Sequence, residues 1–249
     1  MTEAWNMMKL PIARDYVSES FKDEAVCSPG FYNAETLVLF IHDAPEVYAQ
    51  TDPLSNKVEL HKSFLLDHAN TCIEWIMSQN YGLIDVNVPA MLTGVDDPDY
   101  TIESATKELC LYTWDNYIEL ADAKNVIFFG VGKACAGLIN LIGARDVTKR
   151  VKASLNFIGQ DPIKGIQGDD DLKMWYSKHA ISYIASNHPL DPEMKAKRRW
   201  GQIKKTPRIA MHEILITGFD DAKYFIEKQI CEDPQASGNP ELKRKAPEL

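Results

Sequence analysis

The chain has 249 residues, 45% of them hydrophobic and 25% charged, and its 27 Lys and Arg against 36 Asp and Glu give a formal net charge of −9. Such a chain can build a sizeable core, is too apolar to stay disordered, and is too acidic to bind nucleic acid by overall charge. No run is long and apolar enough to cross a bilayer, because the best candidate, Val126 to Gly143, is broken by Lys133 and Asn140.

The segment after Met1 is polar, without the apolar core of a secretion signal. Five scattered cysteines (Cys27, Cys72, Cys110, Cys135, Cys231) contain no C-x-x-C pair, which points to reduced thiols in an intracellular protein. Residues 1–33 lack a clear period and are expected to wrap the core or form an edge β-hairpin. Beyond them, apolar β-branched runs alternate with longer amphipathic runs, the pattern of an α/β three-layer sandwich with a mainly parallel central sheet. The predicted strands are Thr36 to His42, Leu83 to Val88, Asn125 to Gly130, Ala153 to Ile158 and Ile181 to Ser186.

Leu65, Ala69, Cys72 and Ile76 recur at helical spacing between the first two strands, predicting a helix of about 20 residues. Ile102, Ala105, Leu109 and Tyr112 predict another, preceded by Asp96, Asp97 and Asp99 where a helix start favours negative charge. Thr217-Gly218-Phe219-Asp220 fits a capping box, and Ala222, Phe225, Ile226 and Ile230 give the helix after it a buried face. The polar segment from Glu232 is expected to be a flexible tail, so residues 1–231 read as a single domain.

The segment from Val126 to Leu138 runs from a buried strand through a glycine-rich turn into a helix. A Walker A loop is excluded, because the required glycine is Ile127 and the residue after Lys133 is Ala134. A dinucleotide fingerprint fails at Cys135, where its third glycine belongs, and no acid closes the next strand. What fits is a nucleophile elbow, a crowded turn whose flanking residues must be small: Gly132-Lys133-Ala134-Cys135-Ala136 meets the steric demand and puts Ala134 where the nucleophile belongs. The architecture is present without the chemistry.

Other parts of a hydrolase are equally deficient. His42-Asp43-Ala44-Pro45 follows the first strand, where Asp43 would oppose a developing oxyanion and Pro45 has no amide to donate. Asp161, Asn187 or Asp191 stand where a triad acid would follow the elbow, and His212, read at a strand end, stands where its base would. The alternative to a dead elbow is a small hydrolase using Cys135, a thiol at a helix N-terminus, with His212; Lys133 two residues before it is too large for that frame. The segment Pro207 to Thr217 reads nearly as well as a helix.

His42-Asp43-Ala44-Pro45-Glu46, Gly82 to Pro89, the Gly130 to Gly137 turn and Asn187-His188-Pro189-Leu190-Asp191, in this order, resemble the Arb-two domain, named for an argonaute-binding protein. That domain lies C-terminal to the catalytic domain of fungal class II histone deacetylases and is similar in fold to the α/β hydrolases. The resemblance, which covers roughly Ala34 to Ile230, implies a nuclear, non-catalytic module of a chromatin enzyme that contacts other proteins of a deacetylase complex and dimerises, and it implies that the chain is a fragment. It puts the family's hydrolase-like histidine on His212 and the nucleophile position on Ala134. The histidine and aspartate clusters of a deacetylase zinc site are missing, so neither deacetylation nor any metal or cofactor is expected.

Charge clusters name the candidate contacts. The stretch from Lys195 to Arg208 holds seven basic residues and no acidic one, with Lys195, Lys197, Arg198, Arg199, Lys204 and Lys205 around Trp200 as an aromatic anchor. It suits an acidic subunit or, secondarily, nucleic acid; the alternative is a solvated helix or loop. Asp96, Asp97, Asp99 and Asp169, Asp170, Asp171, with Asp43, Glu46 and Asp52, are expected near the carboxyl ends of the strands, where a shared acidic rim would suit basic histones. Their alternative is helix-start charge and loop solvation. Lys243-Arg244-Lys245 is a minimal basic cluster of the nuclear-signal type.

Overall fold

The computed structural model describes residues 5–12, 25–43, 64–88, 102–189 and 197–231. Within them the strands are β1 (Met8–Lys9), β2 (Ala25–Cys27), β3 (Thr36–Asp43), β4 (Gly82–Val88), β5 (Asn125–Val131), β6 (Val151–Gly159), β7 (Ala180–Ile184) and β8 (Gln202–Lys205). The helices are α1 (Phe64–Ser78), α2 (Ile102–Thr113), α3 (Cys135–Ala144), α4 (Asp170–His179) and α5 (Met211–Cys231).

All eight strands join one sheet in the order β1-β2-β4-β3-β5-β6-β7-β8. β3 to β8 run parallel, and β2 is antiparallel to both β4 and β1. Inner strands of such a sheet are covered on both faces and so read as continuous apolar runs; β5 is buried at every residue after Asn125. On one face Phe40, Phe129, Phe157 and Tyr183 pack with Ile73 and Ile76 of α1 and Phe219 and Ile226 of α5. On the other, Leu39 and Phe128 pack with Leu109 of α2, Leu138 of α3 and Tyr176 of α4. This is an α/β-hydrolase-like three-layer sandwich, with β5 and its turn at the centre.

The five predicted strands are present, Ala69, Cys72 and Ile76 of α1, Ala105 and Leu109 of α2 and Ala222, Phe225 and Ile226 of α5 are buried as expected, and β1 with β2 makes an antiparallel pair at one edge. The first helix is described from Phe64 to Ser78. Three expectations need correction. Thr217 does not start a helix: it lies inside α5, where its Oγ1 donates to the Glu213 carbonyl at 2.6 Å, a local bond that imitates a cap in sequence only. Gly218 beside it is a packing residue, since a Cβ there would come within 2.9 Å of the Phe157 ring and 3.0 Å of Tyr183. His212 is on the first turn of α5, not at a strand end. Finally, the basic stretch taken for a helix or loop contains a short 3-10 turn (Arg198–Trp200) and strand β8, whose Gln-Ile-Lys-Lys sequence is polar because β8 is the outermost strand. The expected flexible tail, Asp96, Asp97, Asp99, Lys195 and the Lys243 to Lys245 cluster lie outside the described residues.

Candidate functional site

β5 ends in extended backbone at Val131, and Gly132 then reverses the chain with φ +72. Left-handed backbone is costly for any residue with a Cβ, so glycine is the residue for this point. Gly132–Ala134 form one 3-10 turn and α3 begins at Cys135, with Ala134 already helical at φ −60, ψ −23. The turn is as crowded as an elbow must be. A Cβ on Gly130 would meet Leu138 Cδ1 at 2.9 Å and Cys135 Sγ at 3.1 Å; one on Gly137 would meet Thr106 Cγ2 at 2.6 Å and the Thr106 carbonyl at 2.7 Å.

The left-handed residue of the turn is Gly132, in the frame Gly130-Val131-Gly132-Lys133-Ala134, two positions before Ala134, which is buried and helical. The sequence contains both frames, and the backbone, left-handed at Gly132 and helical at Ala134, distinguishes them. In either frame no nucleophilic side chain sits at the apex.

A cleft of about 180 Å³ opens beside the turn, lined by Gly132, exposed Lys133, Cys135, Ala136, Ile139 and Ile158, with Glu103, Asp161, Pro162 and Lys164 around it. Of the six residues assigned to a residual hydrolase pocket, Lys133 and Cys135 line this cleft, whereas His42, Ala134 and His212 do not; the side chain of Asp43 lies outside the described residues. Cys135 is 3% exposed and its thiol lies 3.8 Å from the Phe157 carbonyl, the contact of a packed cysteine. It also has ordinary helical backbone, so the Cys135 and His212 hydrolase gains nothing from the geometry.

Glu103 and Lys164 were not singled out in the sequence because they lie 61 residues apart. Lys164 Nζ lies 3.1 and 3.0 Å from the two Glu103 carboxylate oxygens, and Lys107 Nζ lies 3.0 Å from one of them. Hydrogen bonds from Lys107 and then Lys164 hold the Glu103 carboxyl below its usual range. A depressed carboxylate stabilises the fold above its unfolded value of about 4.3 and loses that contribution as pH falls through the lower folded value. Glu103→Gln is therefore expected to unfold less steeply with acid below about pH 4 than the parent, by a small margin because the pair is partly exposed; urea midpoints across an acid titration check this.

His42 does have a chemical partner, but a structural one. Its Nε2 lies 3.0 Å from Asp85 Oδ1, both side chains being under 10% exposed, and its ring lies tilted against Phe40 at 4.8 Å. The pair joins β3 to β4 and was missed because Asp85 reads as one polar residue in an apolar strand.

The charge clusters sort differently from their sequence pattern. Asp169 caps α4, accepting from the Leu172 amide at 2.8 Å, and Asp170 pairs with Lys173 at 3.0 Å, which is helix-start chemistry; Asp171 is exposed. Lys197, Arg198, Arg199, Lys204 and Lys205 are exposed, and Lys204 pairs with Asp221 of α5 at 2.5 Å. Trp200 is partly buried: it packs against Ile158, Ile163 and Ile184, within 3.2 Å of where a Gly165 Cβ would stand, and Arg199 covers its ring at 4.6 Å. Arg199 O also accepts from Ile166 N at 2.8 Å, which ties the basic turn to the loop leading into α4.

Three comparisons with known proteins bear on these features. Histone deacetylase clr3 of Schizosaccharomyces pombe is 38% identical over 207 residues, 82% of this chain and 30% of its own length. Histone deacetylase HDA1 of Saccharomyces cerevisiae is 27% identical over 233 residues, 91% of this chain and 32% of its own. The chain thus spans about a third of the curated relatives it matches. Among solved structures, that of the histone deacetylase Clr3 superposes with a TM-score of 0.77 at 32% identity, covering 92% of this chain and 36% of that one. A histone deacetylase from Saccharomyces cerevisiae gives 0.77 at 26%, covering 91% of each. The model of the Arb2-like domain matches residues 1–233, and the chain belongs to the Arb2-like domain family, which its fungal histone deacetylase relatives share.

Proposed function

We propose that this domain is a non-catalytic, nuclear, protein-binding module of a histone deacetylase, retaining a hydrolase scaffold as a docking frame. The observation that carries the reading is Gly132: the one position of the elbow from which a nucleophile would act is held by a residue without a side chain. The similarity to histone deacetylases over only about a third of their length supports it, since deacetylation would then belong to the remainder of such a protein. The basic surface of histones is the partner that an acidic domain would attract, with Asp170 and Asp171 at the exposed start of α4 as the first contact to test. Other subunits of a deacetylase complex, and a second copy of the domain, are further partners in the same reading.

The test is a titration of the purified chain against reconstituted histone dimers at several salt concentrations. Asp170→Asn with Asp171→Asn is the control, Asp169 being kept because it caps α4. Saturable binding that weakens with salt and with the control is the expected result. No binding at low salt removes histones from the reading and leaves subunit contacts. Turnover of ester substrates or selective labelling of Cys135 by an active-site thiol probe would restore the enzymatic alternative.

A further inference from the structure

Strand β8 closes the sheet, pairing with β7 and, among the described residues, with nothing on its outer side. Successive residues of a strand point to opposite faces, and alternate residues turn their N–H and C=O groups to opposite edges. On one face, Gln202 and Lys204 border a groove of about 360 Å³ between β8 and α5, with buried Ile181 and Phe225 in its walls and Tyr224, 67% exposed, at its side. The strand is firmly set: Gln202 Nε2 donates to the Lys178 carbonyl at 3.2 Å, and Asp221 of α5 takes both Lys204 Nζ and, at 2.9 Å, the hydroxyl of Tyr183 on β7. Around this edge the side chains of Arg198 and Lys205 are exposed and make no ion pair or hydrogen bond among the described residues.

We infer that the outer edge of β8 is a docking site for an acidic, extended segment of another protein, which adds to the sheet as a further strand. Main-chain hydrogen bonds hold such a segment, and alternate side chains confer specificity. One set of side chains enters the Ile181 and Phe225 groove, while acidic residues of the other set meet Lys205 and Arg198. The same cations choose the occupant. Lysines on an edge strand repel another edge of the same kind, so two copies meeting at β8 would bring their cations to a seam about 4.8 Å wide, inside the screening length of physiological salt. Nucleic acid would find the charge but could not use the strand edge or the apolar groove. This surface is separate from the acidic start of α4, and the inference stands whether or not histones bind there.

The experiment uses the whole chain and a labelled synthetic peptide alternating glutamate with valine, followed by fluorescence anisotropy. Two further peptides carry N-methyl groups on the odd or on the even amides. Saturable binding is expected, with one methylated peptide inactive and the other bound like the parent, because a single set of amides faces β8. Arg198→Glu with Lys205→Glu, both at exposed positions and checked by circular dichroism, should weaken binding about tenfold, and amide shifts should concentrate at Gln202 to Lys205. The proposal is overturned if the acidic peptide does not bind or if both methylated peptides bind equally well, which would mean charge without strand pairing. It is also overturned if a short DNA duplex takes the same residues more tightly, or if Lys205→Glu alters self-association in sedimentation, which would assign the edge to a second copy.

Discussion

Phe157→Ala is expected to remove about 3–5 kcal/mol of stability, the range for truncating a fully buried aromatic ring. The ring has no exposed surface and is stacked between Phe129 at 5.4 Å and Tyr183 at 4.5 Å, with Gly218 of α5 against it. Its surroundings cannot collapse into the space left behind. Phe129 and Tyr183 are fixed by parallel pairing on either side of β6, and α5 is already as close as a glycine allows. For a domain of this size each kcal/mol shifts the melting temperature by about 2–4 °C, so the variant should melt roughly 10 °C lower. Thermal unfolding followed by circular dichroism reads this directly, and a shift of only a degree or two would mean that the aromatic ladder does not hold α5 to the sheet.

Asp85→Ala is expected to cost about 2–3 kcal/mol, although Asp85 has no part in the cleft. Truncation removes the carboxylate 3.0 Å from the buried His42 Nε2, and deleting one member of a buried hydrogen-bonded pair costs more than the bond itself contributes. Asp85→Asn keeps an acceptor at that place and should cost about 1 kcal/mol or less. Urea unfolding with an unchanged denaturant slope checks both. A paired variant, His42→Leu with Asp85→Leu, should be more stable than the sum of its singles, because neither polar group is then left behind. Equal costs for alanine and asparagine would remove the pair from the list of what joins β3 to β4.

A strand followed by crowded glycines and alanines records a close approach of β5 and α3, which local composition expresses. Absence of Ser or Cys from the apex was legible as well. The choice between two overlapping frames was not, because Gly132 and Ala134 are both small. Only the backbone, left-handed at one and helical at the other, decides between them.

By itself the sequence determined the alternation of buried strands and amphipathic helices, the α/β sandwich and the crowded turn after β5. These rest on periodicity and on residue size, properties that neighbours in the chain share. Tertiary structure decided what depends on residues far apart. Glu103 meets Lys164 and His42 meets Asp85 only after strands and helices are assembled, and Trp200 turns inward because β8 pairs with β7. The same reason explains β8 itself: an outermost strand has only one pairing partner and much of its surface in water, so Gln-Ile-Lys-Lys carries no apolar alternation, and only the sheet beside it makes it a strand.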